Sequence, residues 1–248
     1  MISLELVPHS LEGLLNEAQN AAENYSEIGW INVPDIMRLD TRSYDAAEFL
    51  LSKDINVIPH LRTIDRSIED TVILLKGLVE KGLKRVVIVS GDPIDSPDFK
   101  PSGVTPVELV KVLKVELPQL DCYGGLDPYR QNLRDEIDYG LEKLEAGYKG
   151  LFTQPFFCES LLEAYLKYFP GAEIWVGISP VTSKSSIRYW ENVNKVAFPS
   201  DFESGLEYAS AQAKRLLKVA EKYGQNSYLM PITIKPKEYL PAVFTGNP

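Results

Sequence analysis

A chain of 248 residues, 44% hydrophobic, 25% charged and 10% aromatic, can bury a substantial core. An α/β barrel fills about 250 residues as one unit. Lys plus Arg number 26 against 35 Asp plus Glu; the net charge of −9 argues against a nucleic-acid partner, whose binding domains carry a basic face, although a few local cations can still hold an anionic ligand. No apolar run approaches the roughly 20 residues that span a bilayer. Met1 leads straight into a strand-like segment rather than a basic, then apolar leader, so the expectation is a cytoplasmic protein without a membrane partner. Cys122 and Cys158 read as reduced thiols, and with only His9 and His60 beside them no zinc cluster is expected.

In chain order, residues 2–7 are strand-like and stop at Pro8, and Ser10 offers an N-cap for an amphipathic helix over 11–25. A strand over 28–33 precedes a helix over 44–52, and a strand over 55–61 precedes a helix over 68–81 closed by Gly82. Residues 85–89, a Val/Ile run too short for a buried helix, form the next strand. Thr105, with Pro106 at the first helical position, opens a helix to about Lys114. The second half repeats the pattern, with strands at 119–123, 150–154, 173–178 and 227–233 and helices at 132–146, 159–168, 186–193 and 202–223. Eight strands with helices between them predict a single-domain (β/α)8 TIM barrel over residues 1–248, with no regulatory domain. An open doubly wound sheet would carry a Gly-rich turn after its first strand, where Pro8-His9-Ser10 stands instead.

Barrel enzymes carry their reactive groups at the C-terminal strand ends. Those positions hold Glu5; Asn32 and Asp35; His60 and Arg62; Ser90, Gly91 and Asp92; Tyr123 and Asp127; Thr153 and Gln154; and Ser179. Glu5 alternates with Leu4 and Leu6, so its carboxyl is either desolvated with a raised pKa, as suits a general acid, or paired with an interior arginine. Gly91 allows close backbone approach to a ligand, and Asp92 can accept two parallel hydrogen bonds from a flat N–C–N edge or close an Asx-turn. Gln154 suits a heterocyclic amide edge or a loop cap. His60 is open as a proton donor, a cofactor contact or a satisfied core residue, and Phe156 and Phe157 either stack on a ring or pack on the rim.

Together these residues resemble the methylenetetrahydrofolate reductase family, whose catalytic domain is a flavin-carrying β/α barrel. The matching segments are ISLELVP from Ile2, Pro59-His60-Leu61, SGDP from Ser90, AGYKGLFTQPFF from Ala146 and VGISPV from Val176. The resemblance implies Glu5 as the acid that protonates the folate, Asp92 and Phe156 as folate contacts, and Gln154 as a contact to folate or nicotinamide. Asp92 would also tune the flavin. It implies His60, Ser90, Gly91 and Tyr123 beside an FAD, and NADH or NADPH as electron donor. Four departures stand out: Ser90 replaces an Arg, Asp127 a His, and Val33-Pro34-Asp35 a Thr-Tyr-Gly turn, and a phosphate-binding Lys falls at about Leu141 or Glu142. Arg62, Arg130 and Arg134 are the cations that could compensate, the last two four apart on one helical face. The expectation is therefore a folate reductase with FAD, with FMN or no flavin as alternatives, acting as a homo-oligomer or with a partner subunit. A flavin-independent reductase and a non-redox folate-binding partner of a methyltransferase are the competing readings.

Overall fold

The computed structural model describes residues 1–93, 95–97, 99–232 and 234–244. Its strands are β1 (Ile2–Glu5), β2 (Ile28–Val33), β3 (Val57–Arg62), β4 (Arg85–Val89), β5 (Asp121–Leu126), β6 (Gly150–Pro155), β7 (Glu173–Ile178) and β8 (Asn226–Leu229). They close in sequence order into a parallel barrel, with β1 paired to β8. Outside run α1 (Leu11–Asn24), α2 (Ser43–Leu51), α3 (Ile68–Glu80), α4 (Pro106–Glu116), α5 (Leu133–Ala146), α6 (Glu159–Leu166), α7 (Lys184–Val193), α8 (Leu206–Lys222) and α9 (Pro236–Phe244). Helix starts follow local chemistry. The side chains of Ser10, Ser67 and Asn132 each accept a first-turn N–H, and Thr105 with Glu108 forms a reciprocal capping box behind Pro106. Gly147 ends α5 at φ +107, a left-handed conformation that favours glycine.

Strand alternation divides the interior into two apolar cores. Leu4, Ile31, Val86, Leu151, Val176 and Leu229 point outward into the layer beneath the helices. Ile58, Val87, Tyr123, Phe152, Trp175, Tyr228 and Met230 fill the barrel itself. Phe152 and Trp175 stack at 5.0 Å between centroids, and Tyr123 and Tyr228 meet Phe152 edge-on. The N-terminal mouth is plugged by the Arg85 guanidinium, 4.2 Å from the Trp30 ring centroid.

Several predicted boundaries move. β5 begins at Asp121 because Leu120 is still held in the preceding turn by Leu117, and it continues through Gly124 and Gly125, which pair with β6. β1 ends at Glu5, where Val7 turns to accept from His9. α8 begins at Leu206, because Phe202 instead packs into an aromatic cluster with Phe157 and Phe198. β8 ends at Leu229, and the predicted strand end at Thr233 lies outside the described residues. α9 has no counterpart in the predicted elements, since Pro236 and an internal Pro241 hide its period. It buries Tyr239, Leu240 and Val243, and Phe244 meets Tyr25 of the α1 end. Among the described residues no helix is long and apolar enough to cross a membrane.

Trp175 is fully buried and contributes stability without reaching the cavity above. Trp175→Ala is expected to cost about 3–5 kcal/mol, read as a lowered urea midpoint with an unchanged slope.

Candidate active site

The barrel's C-terminal end holds a cavity of about 470 Å³. Its floor is the top of the inner core, Val87, Phe152, Tyr228 and Met230, and its walls are strand-end polar residues. On one side stands Glu5, in register with Asn32 of β2. The Tyr228 hydroxyl donates to Glu5 Oε2. Burial pushes the Glu5 carboxyl up to about 7, opposed by that hydrogen bond, so Glu5 holds a proton near neutrality. Burial, with Glu5 beside it, also keeps the Tyr228 phenol protonated. Among the described residues no arginine pairs with Glu5: Arg85 sits at the opposite mouth over Trp30, and Arg62 and Arg130 are bound to Asp65 and Glu136. His60 lines the same wall with Asn32 Nδ2 at 3.2 Å from its Nε2 and the Tyr228 ring edge-on at 6.2 Å. Burial pushes the imidazole down to about 4, against the charge of Asp35, so the ring is neutral.

Above β3 lies an ion network. Arg42 is bidentate to Asp35, at 2.8 and 2.6 Å, and also reaches Asp65 at 2.6 Å. Arg62 bonds Asp65 at 3.1 Å and donates to the Asp92 carbonyl at 2.5 Å. Its side chain packs so tightly beneath Gly91, at φ +82, that a Cβ there would lie 2.8 Å from Arg62 Nε. Gly91 is thus needed for the approach of Arg62 as well as for the turn. Arg62 acts on the cavity by holding the Ser90–Asp92 turn in place, leaving the exposed Asp92 carboxylate at the rim without a protein partner among the described residues.

The wall of β5 and β6 is organised by Glu136, which is wholly buried. It accepts from the Asp127 N–H (2.8 Å), Arg130 (2.8 Å) and Gln131 (2.9 Å). One helical stripe further along α5, Lys143 donates to the Gly125 carbonyl and lies 3.9 Å from the Tyr139 ring centroid. Burial lowers the Lys143 ammonium to about 8 and raises the Asp127 carboxyl. Close to the lysine position counted at about Leu141 or Glu142, the α5 cation that lines the cavity is Lys143. Gln154 completes this side, exposed at the rim.

Ten of the singled-out residues share this cavity besides Glu5: Asp35, His60, Arg62, Ser90, Gly91, Asp92, Asp127, Arg130, Thr153 and Gln154. Asn32, Ser179 and Phe157 do not line it, nor do Tyr123, Phe156 and Arg134. Tyr123 points inward one layer deeper, its hydroxyl donating to Glu173 at 3.1 Å. Phe156 is fully buried on the helix side, 5.5 Å from the Tyr165 ring, because the β6–β7 register shifts between Phe152 and Pro155 and breaks the alternation. Arg134 is exposed and bound to Asp138 at 2.9 Å; α5 starts only at Leu133, so Arg130 lies in the loop and shares no helical face with it. Arg42, Asp65, Glu136 and Lys143 were not singled out. For Glu136 and Lys143 a signal existed, seven residues apart on one stripe, whereas Arg42 and Asp65 carried none.

The donor set fits the edge of a fused nitrogen heterocycle, with Asp92 and Gln154 facing one opening. For a dinucleotide's diphosphate it offers, among the described residues, one cation not bound to a carboxylate, Lys143, while the arginines are engaged. Arg42 and Arg62 are bound to Asp35 and Asp65, Arg130 to Glu136, and Arg134 to Asp138. The outer face of α5 adds Asp135, Asp138 and Glu142 beside Arg130. A flavin dinucleotide held for the enzyme's lifetime needs uncommitted cations or N–H groups at that end.

The fold and site define a β/α-barrel protein with a buried proton-holding carboxyl in its ligand cavity. The sequence profile of the methylenetetrahydrofolate reductase family matches residues 2–227, and the chain belongs to that family. A 5,10-methylenetetrahydrofolate reductase of Buchnera aphidicola subsp. Baizongia pistaciae (strain Bp) is 25% identical over 156 residues, covering 58% of this chain. The match spans about half, 51%, of that relative's length. Among solved structures, an uncharacterized Clostridium thermocellum protein that binds two copies of 5-methyl-5,6,7,8-tetrahydrofolic acid is similar at TM-score 0.67 and 15% identity, over 98% of this chain and 92% of that one. Orotidine 5'-phosphate decarboxylase from Pyrococcus horikoshii OT3 matches at TM-score 0.58 and 10% identity over 100% of both chains, a likeness of fold alone.

A carboxyl held near 7 in the fold but near 4.5 when unfolded costs stability once it ionises, so this contribution falls as pH rises from 4.5 through 7. Glu5→Gln keeps an acceptor for Tyr228 and removes that charge. Relative to the parent, the variant is expected to gain about 3 kcal/mol on moving from pH 4.5 to pH 8.5, measured by urea unfolding at both pH values.

Proposed function

We propose that the chain reduces 5,10-methylenetetrahydrofolate, or a close tetrahydropterin, to the 5-methyl form with a reduced nicotinamide. The observation that carries this reading is Glu5: a carboxyl protonated near neutrality, fixed by Tyr228, on the wall of a cavity whose rim offers Asp92 and Gln154. Asp92 accepts from the N–C–N edge of the pterin and Gln154 pairs with its amide, orienting the ring. Glu5 gives its proton to N10 as the bond between that nitrogen and the methylene carbon breaks. The resulting iminium at N5 accepts a hydride at the methylene carbon, and the Glu5 carboxylate regains a proton from water. The nicotinamide delivers hydride directly; as a cosubstrate that binds and leaves, it can keep its diphosphate in solvent. The Clostridium thermocellum neighbour supports a folate for a barrel of this shape.

A second reading, in which FAD or FMN relays the hydride, rests on Lys143, a cavity-wall cation bonded to a carbonyl rather than to a carboxylate. The protein is proposed to work in the cytoplasm, as a homo-oligomer or with a partner subunit.

The visible spectrum of the purified protein, followed by anaerobic NADH addition, separates these readings. Direct transfer predicts a colourless protein that oxidises NADH only when methylenetetrahydrofolate is present. A yellow protein bleached by NADH establishes the relay, and a colourless protein with no turnover with NADH or NADPH sinks the reductase reading. In the active protein, Glu5→Gln should lower folate reduction at least 100-fold. The parent's rate should fall tenfold per pH unit well above about 7, as the proton on Glu5 is lost.

A further inference from the structure

Asn32 takes no part in the mechanism above, yet it is wholly buried and lies in register between Glu5 of β1 and Ile58 of β3. Its amide nitrogen is 3.2 Å from His60 Nε2, while its Oδ1 is buried without a partner. The other ring nitrogen of His60, Nδ1, has no protein partner among the described residues; the ring lines the cavity, and Nδ1 is not among the sealed polar atoms, so it opens there.

We propose that Asn32 is a positioning residue that holds His60 as the tautomer protonated on Nδ1, making the ring a hydrogen-bond donor to an acceptor atom of the ligand.

The amide orientation carries the argument. With Nδ2 toward the ring, one N–H is used and a carbonyl oxygen is left unpaired. Reversed, the oxygen would meet the ring and the whole NH2 group would be buried without a partner. Orphaned donors are rarer than under-satisfied carbonyls, so the first arrangement is preferred. Nε2 is then an acceptor. Burial keeps the ring neutral, so its single proton sits on Nδ1, facing the ligand. His60 therefore polarises a ligand atom without giving up a proton, which leaves acid catalysis to Glu5. The acceptor is a carbonyl or ring nitrogen of a nitrogen heterocycle, from either the oxopterin of a reduced folate or the nicotinamide carboxamide. That choice of sources rests on the reductase reading; the tautomer does not.

The chain has two histidines, so His9→Gln leaves His60 alone in the spectrum. Long-range proton–nitrogen correlation on the ring-15N-labelled protein at pH 7.5 should show Nε2 as pyridine-like and Nδ1 as pyrrole-like. Asn32→Asp, of the same shape, should reverse the two, since a carboxylate can only accept; Asn32→Leu, lacking the donor, should lose the preference if the Asp variant does not fold. Separate titrations with 5-methyltetrahydrofolate and NADH identify the source, as the ligand on Nδ1 moves that resonance. Its Kd should rise about tenfold in Asn32→Asp, the loss of one hydrogen bond. A pyrrole-like Nε2 in the parent, or a bound ligand that leaves Nδ1 unmoved, overturns the proposal. If neither ligand binds, the reductase reading fails while the tautomer spectrum still decides the role of Asn32.

Discussion

Closure of the barrel is the contact on which the site rests. β1 pairs with β8 from Ile2↔Ser227 to Leu4↔Leu229, which leaves the sheet without an edge and seals the interior from water. The same pairing brings Tyr228 onto Glu5, 223 positions away in the chain. An unclosed sheet would leave Glu5 hydrated, with an ordinary carboxyl pKa and no phenol against it. The stacked rings of Phe152 and Trp175 and the Arg85 plug fill the space beneath, so the low dielectric around the carboxyl is a property of the whole inner core.

Above that floor, charge is spent largely on architecture. Arg42 and Arg62 with Asp35 and Asp65 hold the turn that presents Asp92, and Glu136 gathers the loop after β5 through Asp127, Arg130 and Gln131. A buried carboxylate such as Glu136 persists only when its oxygens have partners, and here both do. The consequence is a cavity whose walls are rigidly placed but whose arginines are engaged. Such a cavity favours a ligand recognised by hydrogen bonds along a ring edge over one anchored by phosphate charge, which fits the acidic balance of the chain.

Much of this was legible in one dimension. Polar residues interrupting apolar strands marked Glu5, His60 and Gln154, and the turn chemistry of Gly91 and Asp92 marked the rim. Strand alternation read correctly wherever β-register is regular. It misled at Phe156, where the β6–β7 register shifts, and it could not set the depth of Tyr123, which faces inward but below the cavity. Arg130 and Arg134 were read as one helical face because a helix start is uncertain by a few residues, and α5 begins just past Arg130.

What the sequence by itself determined is the periodicity: eight two-faced strands alternating with capped helices, and hence a barrel with its polar residues at one end. Those features are local, encoded within a few residues by side-chain alternation and hydrogen-bonded caps. Which charges are free, which carboxyl keeps its proton and which nitrogen of His60 opens to the cavity were decided only by the tertiary structure. Each depends on partners brought from distant strands into a space without water, where one neighbour at hydrogen-bond distance outweighs intrinsic acidity.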